Sequence, residues 1–124
     1  MIEIKPVHED QFYIIPSRAY QYDAGYDIHI SENYVLYPGQ TVTLPTNVAI
    51  AIPTGFFGLI CGRSGKALDR FVVHNGVIDS GYRGELRVIG HNIGEDPVLL
   101  GIGDRIAQIV ILGIPILPFK QVEE

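Results

Sequence analysis

The feature that most constrains the fold is a succession of short β-type segments separated by turn residues. Glycine, proline, asparagine and aspartate occupy the gaps, as in Tyr37–Gly39 and Pro53–Gly55. Closely spaced short strands with such turns are typical of all-β sandwiches and barrels. Only Ser64–Arg70 has room for a short helix, of about two turns. The predicted strands are Thr41–Ile52, Phe56–Cys61, Val72–Val73, Glu85–Ile89, Val98–Leu100 and Ile106–Leu112.

Length and cysteine content bound the organisation of the chain and its compartment. With 124 residues, the chain is predicted to form one domain over residues 1–124. The single cysteine, Cys61, cannot form an internal disulfide, which fits a reducing compartment. No secretory signal is recognisable, and prolines interrupt the uncharged stretch 33–62, which argues against a membrane-spanning helix. We therefore expect no membrane association and a cytoplasmic location, or the nucleus or host-cell interior for a viral protein.

The charge distribution favours a small anionic ligand over duplex nucleic acid. A net charge of −5 makes the chain a poor partner for a nucleic-acid backbone, so we expect no such partner. Six of the nine Lys and Arg residues nevertheless lie between positions 63 and 105. This concentration could serve a nucleotide triphosphate, or it could consist of solvated strand faces and surface ion pairs.

Two segments carry residues suited to metal and to phosphate. In Ala24–Ile28, a glycine permits close backbone approach and Asp27 follows two residues later, which fits either a turn or a water-mediated metal contact. In Gly62–Ala67, a Gly/Ser-rich turn follows a strand, and Arg63 and Ser64 add donors for phosphate. The segment lacks the Walker spacing, and its alternative is an ordinary glycine turn with surface cations.

Two further segments place a polar residue among apolar neighbours. Gly76–Glu85 has Asp79 at the end of an apolar run and Tyr82 in the turn that follows. A carboxylate held there could accept a proton from water, and the ring could lie against a sugar. The alternative is a β-hairpin turn in which Asp79 caps backbone N–H groups. In Gly103–Gln108, the glutamine stands in an apolar strand and needs partners, which a phosphate oxygen or a backbone group would provide.

Taken in this order, the four segments resemble the first four motifs of the trimeric dUTPase family. The matching residues read AGYDI, GRSGKA, GVIDSGYRGE and GDRIAQ, and they extend from Ala24 to about Val110. The resemblance implies an all-β, jelly-roll (β-clip-like) sandwich with one short helix, assembled as a homotrimer. It also implies hydrolysis of dUTP to dUMP and pyrophosphate with Mg²⁺, in sites that combine residues from more than one subunit.

The resemblance assigns roles to individual residues. Asp79 would orient and deprotonate the water that attacks the α-phosphorus, and Tyr82 would pack on the deoxyribose and exclude a 2′-hydroxyl. Asp27 would reach Mg²⁺ through water. Phosphoryl transfer mainly requires such positioning and charge neutralisation. The other substrate contacts would come from Arg63, Ser64, Gly65 and Gln108 at the phosphates, and from Asn75, Gly76 and Ile78 in the base-binding hairpin around His74–Ile89.

The sequence lacks the family's fifth motif, a glycine-rich C-terminal segment that closes over the nucleotide. The last residues, Phe119–Glu124, do not resemble it, which fits either a shortened chain or a natural variant without the closing segment. Closure excludes water and aligns the triphosphate, so a chain without this motif is expected to bind dUTP and Mg²⁺ but to turn the substrate over slowly.

Two other functions fit part of the pattern. The Ile78–Gly81 stretch also resembles dCTP deaminases of the same fold, but Ile89 occupies the strand position where those enzymes carry a catalytic glutamate. The second alternative is a nucleotide-binding regulatory or interaction protein with weak or no turnover. The intact site motifs favour the hydrolase.

The segment Ile109–Phe119 is almost wholly apolar, and Pro115 and Pro118 within it exclude a helix. Such a segment needs cover from solvent. Two arrangements would provide it: a central strand with a well-packed exit, or contact with another subunit.

Overall fold

The computed structural model describes residues 1–63 and 70–123, and the elements it contains are antiparallel β-strands. No helix among these residues is long and apolar enough to cross a membrane. The strands, in chain order, are β1 (Glu3–Pro6), β2 (Gly25–His29), β3 (Tyr34–Leu36), β4 (Thr41–Pro45), β5 (Val48–Ala51), β6 (Phe56–Cys61), β7 (Phe71–Val73), β8 (Gly76–Ile78), β9 (Arg87–Asn92), β10 (Val98–Leu100) and β11 (Arg105–Gly113).

The strands are arranged in small sheets that pack around one core. The largest sheet has the order β2-β11-β6-β8, and a three-stranded sheet has the order β4-β9-β7. Two further pairs, β1-β5 and β3-β10, complete the arrangement. All of these pairings are antiparallel, so neighbouring strands need no crossover helices. The all-β sandwich of jelly-roll type expected from the sequence is confirmed.

The core is built from the inward faces of these strands. In β9, Val88 and Gly90 are buried whereas Arg87 and Ile89 are exposed, which is the period-2 alternation of a sheet with one wet face. β11 lies between β2 and β6 and is buried at Ile106, Ala107 and Ile109. The cluster of buried apolar residues is Ile28, Ile30, Leu36, Leu44, Val48, Ile50, Ile52, Ile60, Phe71, Leu86, Val88, Leu100, Ile106, Ala107 and Ile109.

The predicted strand Thr41–Ile52 is in fact divided into β4 and β5. The break falls at Asn47, whose φ of 59° lies in the left-handed region that asparagine tolerates better than most residues. The Asn47 side chain stabilises the break by donating to the carbonyl oxygens of His8, Gln11 and Phe12. A long-range network, which local sequence does not reveal, therefore ends the first strand.

The remaining predictions of secondary structure differ from the fold at the ends of elements. The strand predicted at Glu85–Ile89 begins at Arg87 and continues to Asn92 as β9. The helix predicted at Ser64–Arg70 falls outside the described residues, except for Arg70, which has a φ of 64°.

The apolar segment Ile109–Phe119 does not have the well-packed exit that the first of the two expectations required. Its first half is the central strand β11, but the strand ends at Gly113 and the residues beyond it are exposed. Ile116 is 80% exposed and Phe119 is 105% exposed. The exit is therefore not packed against its own domain.

Candidate active site

Asp27 on β2 lies between two arginines. The Nε atom of Arg63 is 3.1 Å from Oδ1 of Asp27, and Nη1 of Arg105 is 3.7 Å from Oδ2. The Asp27 side chain is only 20% exposed, so the carboxylate is partly shielded from solvent. At Asp27 itself one negative charge faces two guanidinium groups, and these keep further N–H donors that suit an anionic ligand.

Gln108 on β11 lies directly opposite Asp27 and also opposite Cys61 on β6. Its Nε2 atom donates a hydrogen bond to the Gly62 carbonyl oxygen at 2.9 Å. A primary amide has two N–H donors, and the described residues engage only one of them, so the second can bind a ligand. Of the two partners considered for Gln108, a phosphate oxygen and a backbone group, the backbone group is therefore present and uses one of the two N–H donors of the amide.

Gly25 makes room for the glutamine. A Cβ atom at position 25 would lie 2.1 Å from Oε1 and 2.8 Å from Cδ of Gln108. Both contacts are far shorter than van der Waals distance, so a larger residue would displace the amide. The glycine of the first motif is thus explained by the side chain of the fourth.

These residues line one polar cleft of about 340 Å³. Its size lies at the lower end of the range typical of small-molecule sites. Asp23 also lines it, with Oδ2 accepting a hydrogen bond from the Tyr20 N–H at 3.0 Å. The complete lining is Ala19, Asp23, Ala24, Gly25, Asp27, Arg63, Arg105 and Gln108.

The chemistry of this cleft fits a magnesium ion shared with a substrate. Mg²⁺ is usually held by one or two carboxylates, several waters and the phosphates of the substrate. Asp27 offers such a carboxylate, and Asp23 lies in the same cleft. Among the described residues, no group of three or more His, Cys, Asp and Glu side chains forms an all-protein metal cage.

His29 lies two residues after Asp27 on β2 and is half-buried. Burial is the main cause that lowers the pKa of His29 below its ordinary value of 6.5, with the positive Arg105 and Arg63 adding to it and Asp27 opposing it. Within the described part of the chain, its buried Nδ1 atom has no hydrogen-bond partner. The neutral imidazole is therefore the form that the fold favours.

Asp79 lies in a tight turn that follows β8. The Tyr82 N–H donates to the Asp79 carbonyl oxygen at 3.1 Å, which closes the turn through the backbone. Nη1 of Arg83 donates to the carbonyl oxygens of Ser80 and Tyr82. No hydrogen bond or ion pair in the described residues engages the exposed Asp79 carboxylate. The side-chain cap considered as an alternative is thus not what holds this turn.

The predicted hairpin around His74–Ile89 has arms β7 and β9 and a long connection. The His74 N–H donates to the Ile89 carbonyl oxygen at 2.9 Å, which extends the β7–β9 pairing by one step. The connection then leaves that sheet, and β8 pairs with β6 in the large sheet instead. Asn75, Gly76 and Ile78 lie in this connection, just before the Asp79 turn.

The polar cleft and the Asp79 turn are far apart in one chain. β2 and β8 are the two edges of the large sheet, with β11 and β6 between them. Three strand spacings correspond to about 14 Å. The cleft is at the Cys61 end of β6, whereas Ile78 pairs with Gly58, which adds about 10 Å along the strand. Asp79 is therefore far from Asp27 and from the Arg63 guanidinium that contacts it. Gln108, on β11, is two strand spacings from β8, about 10 Å, and the offset along the strand adds to this distance. One phosphate held in the cleft is thus out of reach of Asp79 within one chain.

Ser64 and Gly65, which were predicted to bind phosphate, lie outside the described residues. Arg105 was not predicted individually, although it belongs to the fourth motif. The signal that could have identified Arg105 is its position at the start of β11, because the neighbouring strand β2 carries Asp27. Glu85 was likewise assigned no role, and no local pattern in the sequence indicates one.

The fold and the cleft together define an all-β protein with a site suited to a phosphorylated small molecule. The dUTPase family model matches residues 12–124. The deoxyuridine 5′-triphosphate nucleotidohydrolase of Corynebacterium glutamicum is 41% identical over 125 residues, which cover 98% of this chain and 84% of the relative. The chain belongs to the dUTPase family.

Solved structures agree with this assignment. A mutant dUTPase from phage phi11 of S. aureus, whose structure reveals the coordination of a structural Mg(II) ion, has a TM-score of 0.93 and 30% identity. The match covers 100% of this chain and 97% of the phage protein. A mutant of the Staphylococcus bacteriophage 80alpha dUTPase with dUpNHpp has a TM-score of 0.89 and 31% identity, with 100% and 97% coverage. The family expected from the motifs is thereby confirmed.

Proposed function

We propose that this chain hydrolyses dUTP to dUMP and pyrophosphate, in sites shared between the subunits of a homotrimer. The observation that carries the proposal is the convergence of Asp27, Arg63 and Gln108 in one polar cleft. These are the residues that the motif resemblance assigns to Mg²⁺ and the triphosphate. The single-domain organisation over residues 1–124 and a cytoplasmic location belong to the same proposal.

Asp79 is the general base in this proposal. Its carboxylate accepts a proton from water as the water oxygen bonds to the α-phosphorus. The bond between the α-phosphorus and the α–β bridging oxygen then breaks, and pyrophosphate leaves. The exposed carboxylate supports this role, since no hydrogen bond or ion pair in the described residues competes for it.

Base and sugar recognition fall to the segment around that turn. Asn75, Gly76 and Ile78 present backbone groups to the uracil edge, and the Tyr82 ring packs on the deoxyribose where a 2′-hydroxyl would clash. The ring is 42% exposed and therefore accessible to a ligand. Planar rings of this kind commonly pack against sugars through their apolar face.

Phosphate binding falls to the cleft. Arg63 and Gln108 hold phosphate oxygens, together with Ser64 and Gly65. When bound, Mg²⁺ would neutralise charge on the triphosphate, with Asp27 holding it through water. Arg105 adds a second positive charge beside Asp27, at 3.7 Å.

Two observations support a site shared between subunits. The calculated distance between the cleft and the Asp79 turn is too long for one chain to place both on the same triphosphate. The exposed apolar residues beyond Gly113, including Ile116 and Phe119, need cover that their own domain does not provide. Cyclic trimers bring the same two surfaces together at each of their interfaces.

Product analysis tests the reaction. Purified protein with Mg²⁺ is incubated with dUTP, dCTP and UTP, and the nucleotide products and pyrophosphate are quantified. We expect dUMP and pyrophosphate in equal amounts from dUTP and little from the other two substrates. Deaminated dCTP would favour the deaminase, and tight dUTP binding without any product would favour a regulatory protein.

Subunit complementation tests the shared site. Asp79→Asn and Arg63→Gln chains, each inactive alone, are unfolded together, refolded and assayed. If each site combines the two residues from different chains, random mixing restores about a quarter of the sites. No recovery in a sample that sediments as a trimer would show that both residues serve a site within one chain.

A further inference from the structure

Glu85 follows an exposed turn, yet its carboxylate is largely buried and bonded to several donors. Its side chain is only 10% exposed. Oε2 accepts hydrogen bonds from the Thr46 N–H at 3.1 Å and the Asn47 N–H at 3.0 Å, and Oε1 lies 3.0 Å from Nη2 of Arg87. A shielded carboxylate with several donors has little freedom to move.

The backbone of Glu85 holds the ring of Tyr82. The Tyr82 hydroxyl donates to the Glu85 carbonyl oxygen at 2.8 Å. The ring also lies over Gly84, since a Cβ atom at that position would be 2.6 Å from the hydroxyl oxygen and 2.8 Å from Cζ. Because Tyr82 is 42% exposed, core packing does not fix its orientation, and this hydrogen bond does.

The following residue is anchored to the same place. The Leu86 N–H donates to the Val48 carbonyl oxygen at 2.8 Å, and the Thr46 hydroxyl donates to the Leu86 carbonyl oxygen. The short segment 85–86 is therefore attached to the bend between β4 and β5 by both side-chain and backbone bonds. Glu85 thus connects the Tyr82 ring to the core of the domain.

We infer that Glu85 is a positioning residue for sugar selection: its carboxylate fixes the carbonyl group that orients Tyr82, and so it sets how strongly the site rejects a ribonucleotide. The inference rests on the proposed function, in which Tyr82 packs on the deoxyribose. Glu85 itself contacts no substrate in this arrangement. Loss of its carboxylate loosens the carbonyl group that orients the ring, so the ring stays in the turn but can rotate away from the 2′ position.

The test compares Glu85→Gln with the parent chain and with Glu95→Gln, a matched change at an exposed glutamate. The measured quantity is the ratio of kcat/KM for dUTP to kcat/KM for UTP. This ratio does not depend on the fraction of folded protein. If Glu85 had a purely structural role, Glu85→Gln would therefore lower Tm and leave the ratio unchanged. We expect Glu85→Gln to lower the ratio about 3- to 10-fold, as for one weakened hydrogen bond, and Glu95→Gln to leave it unchanged.

A second variant keeps the inference testable if the first folds poorly. Tyr82→Phe retains the ring and removes only the bond to the Glu85 carbonyl, so it should lower the ratio by a similar factor. The double variant should show no further loss, because both changes break the same link. Fully multiplicative effects would mean that Glu85 does not act through Tyr82.

The outcomes separate this inference from the proposed function. If the parent chain does not distinguish dUTP from UTP, or dUMP from UMP in a competition experiment, the proposed substrate is wrong and the inference fails with it. If the parent chain distinguishes them and Glu85→Gln does so equally well, the function stands and only the role of Glu85 is refuted.

Discussion

Arg63 and Asp27 form an ion pair in which Nε of the arginine lies 3.1 Å from Oδ1 of the aspartate. The pair joins β2 to the segment that follows β6, strands that are separated by β11 in the sheet. Both side chains are partly exposed, at 25% and 20%, so the pair contributes little to stability. Its main consequence is positional, because it keeps the arginine in the polar cleft.

We predict that Asp27→Asn raises the Mg²⁺ concentration needed for activity and has little effect on the stability of the folded protein. An amide is a poorer partner for a hydrated cation, and two arginines would face it without a compensating charge. The half-saturating Mg²⁺ concentration in the pyrophosphate-release assay should rise about 10-fold, a typical consequence of altering outer-shell contacts. Asp96→Asn, at an exposed acid elsewhere, is the control. An unchanged Mg²⁺ response in Asp27→Asn would remove this residue from the metal site.

We predict that Gly25→Ala lowers activity by displacing Gln108. The new methyl group would overlap Oε1 of the amide, which must turn away and lose its bond to the Gly62 carbonyl. Turnover should fall at least about 10-fold, since small misplacements in a phosphoryl-transfer site are costly. Gly113→Ala, on the strand β11 that carries Gln108, meets only an ordinary contact, 3.9 Å from Phe56, and should retain activity. Similar activities for the two variants would contradict the proposed packing.

Local sequence predicted the strands that carry their own apolar pattern but missed those that depend on a distant partner. Phe56–Cys61 is found as β6 because its β-branched and aromatic residues favour a strand in any context. By contrast, β2 contains a glycine, an aspartate and a histidine, and its pairing with β11 determines its conformation. The division between β4 and β5 likewise depends on Glu85, which is 38 residues away from Asn47.

The motifs similarly identified residues but not their arrangement. Asp27 and Arg63 are recognisable in their motifs, yet their contact spans 36 residues and requires the fold. The separation between the cleft and Asp79 follows only from the order of strands in the large sheet. Sequence spacing contains no information about that order, since β11, the last strand, is inserted next to β2.

We predict that Gly84→Ala relaxes sugar selection. Its methyl group would come within 2.6 Å of the Tyr82 hydroxyl oxygen, so the ring must swing out and break its bond to Glu85. The preference for dUTP over UTP should fall several-fold, in line with the loss of about one hydrogen bond. Gly81→Ala, in the same turn but with no atom within 4 Å of the added carbon, is the matched control. The idea fails if the two variants show equal selectivity.

We predict that Asp79→Asn abolishes hydrolysis while dUTP binding stays nearly intact. The amide occupies the same space but cannot accept the proton of the attacking water. Loss of a general base typically lowers the rate about 10²- to 10⁴-fold. Binding is measured by calorimetry with dUTP and Mg²⁺, and turnover by pyrophosphate release. Near-normal turnover in the variant would assign the general base to another residue.

The final prediction concerns His29 and the dependence of stability on pH. The pKa of His29 is lowered in the folded protein, mainly by burial, whereas the unfolded chain titrates near the ordinary value of 6.5. As pH falls below about 6.5, the unfolded state takes up a proton that the folded state resists, so the free energy of unfolding decreases. The stabilising contribution is complete above that pH and is lost as pH falls through the folded pKa.

His29→Gln should reduce this dependence, because glutamine does not titrate. The measurement is urea unfolding at pH 7.5 and 5.5 in the presence of EDTA, so that no metal near Asp27 contributes. The parent chain should lose more stability between the two pH values than the variant does, and His8→Gln, at an exposed histidine, should behave like the parent. Arg105 and Arg63 lie near the imidazole and disfavour its protonation, whereas Asp27 favours it. An identical loss of stability in His29→Gln and the parent chain would show that acid destabilisation arises at another group.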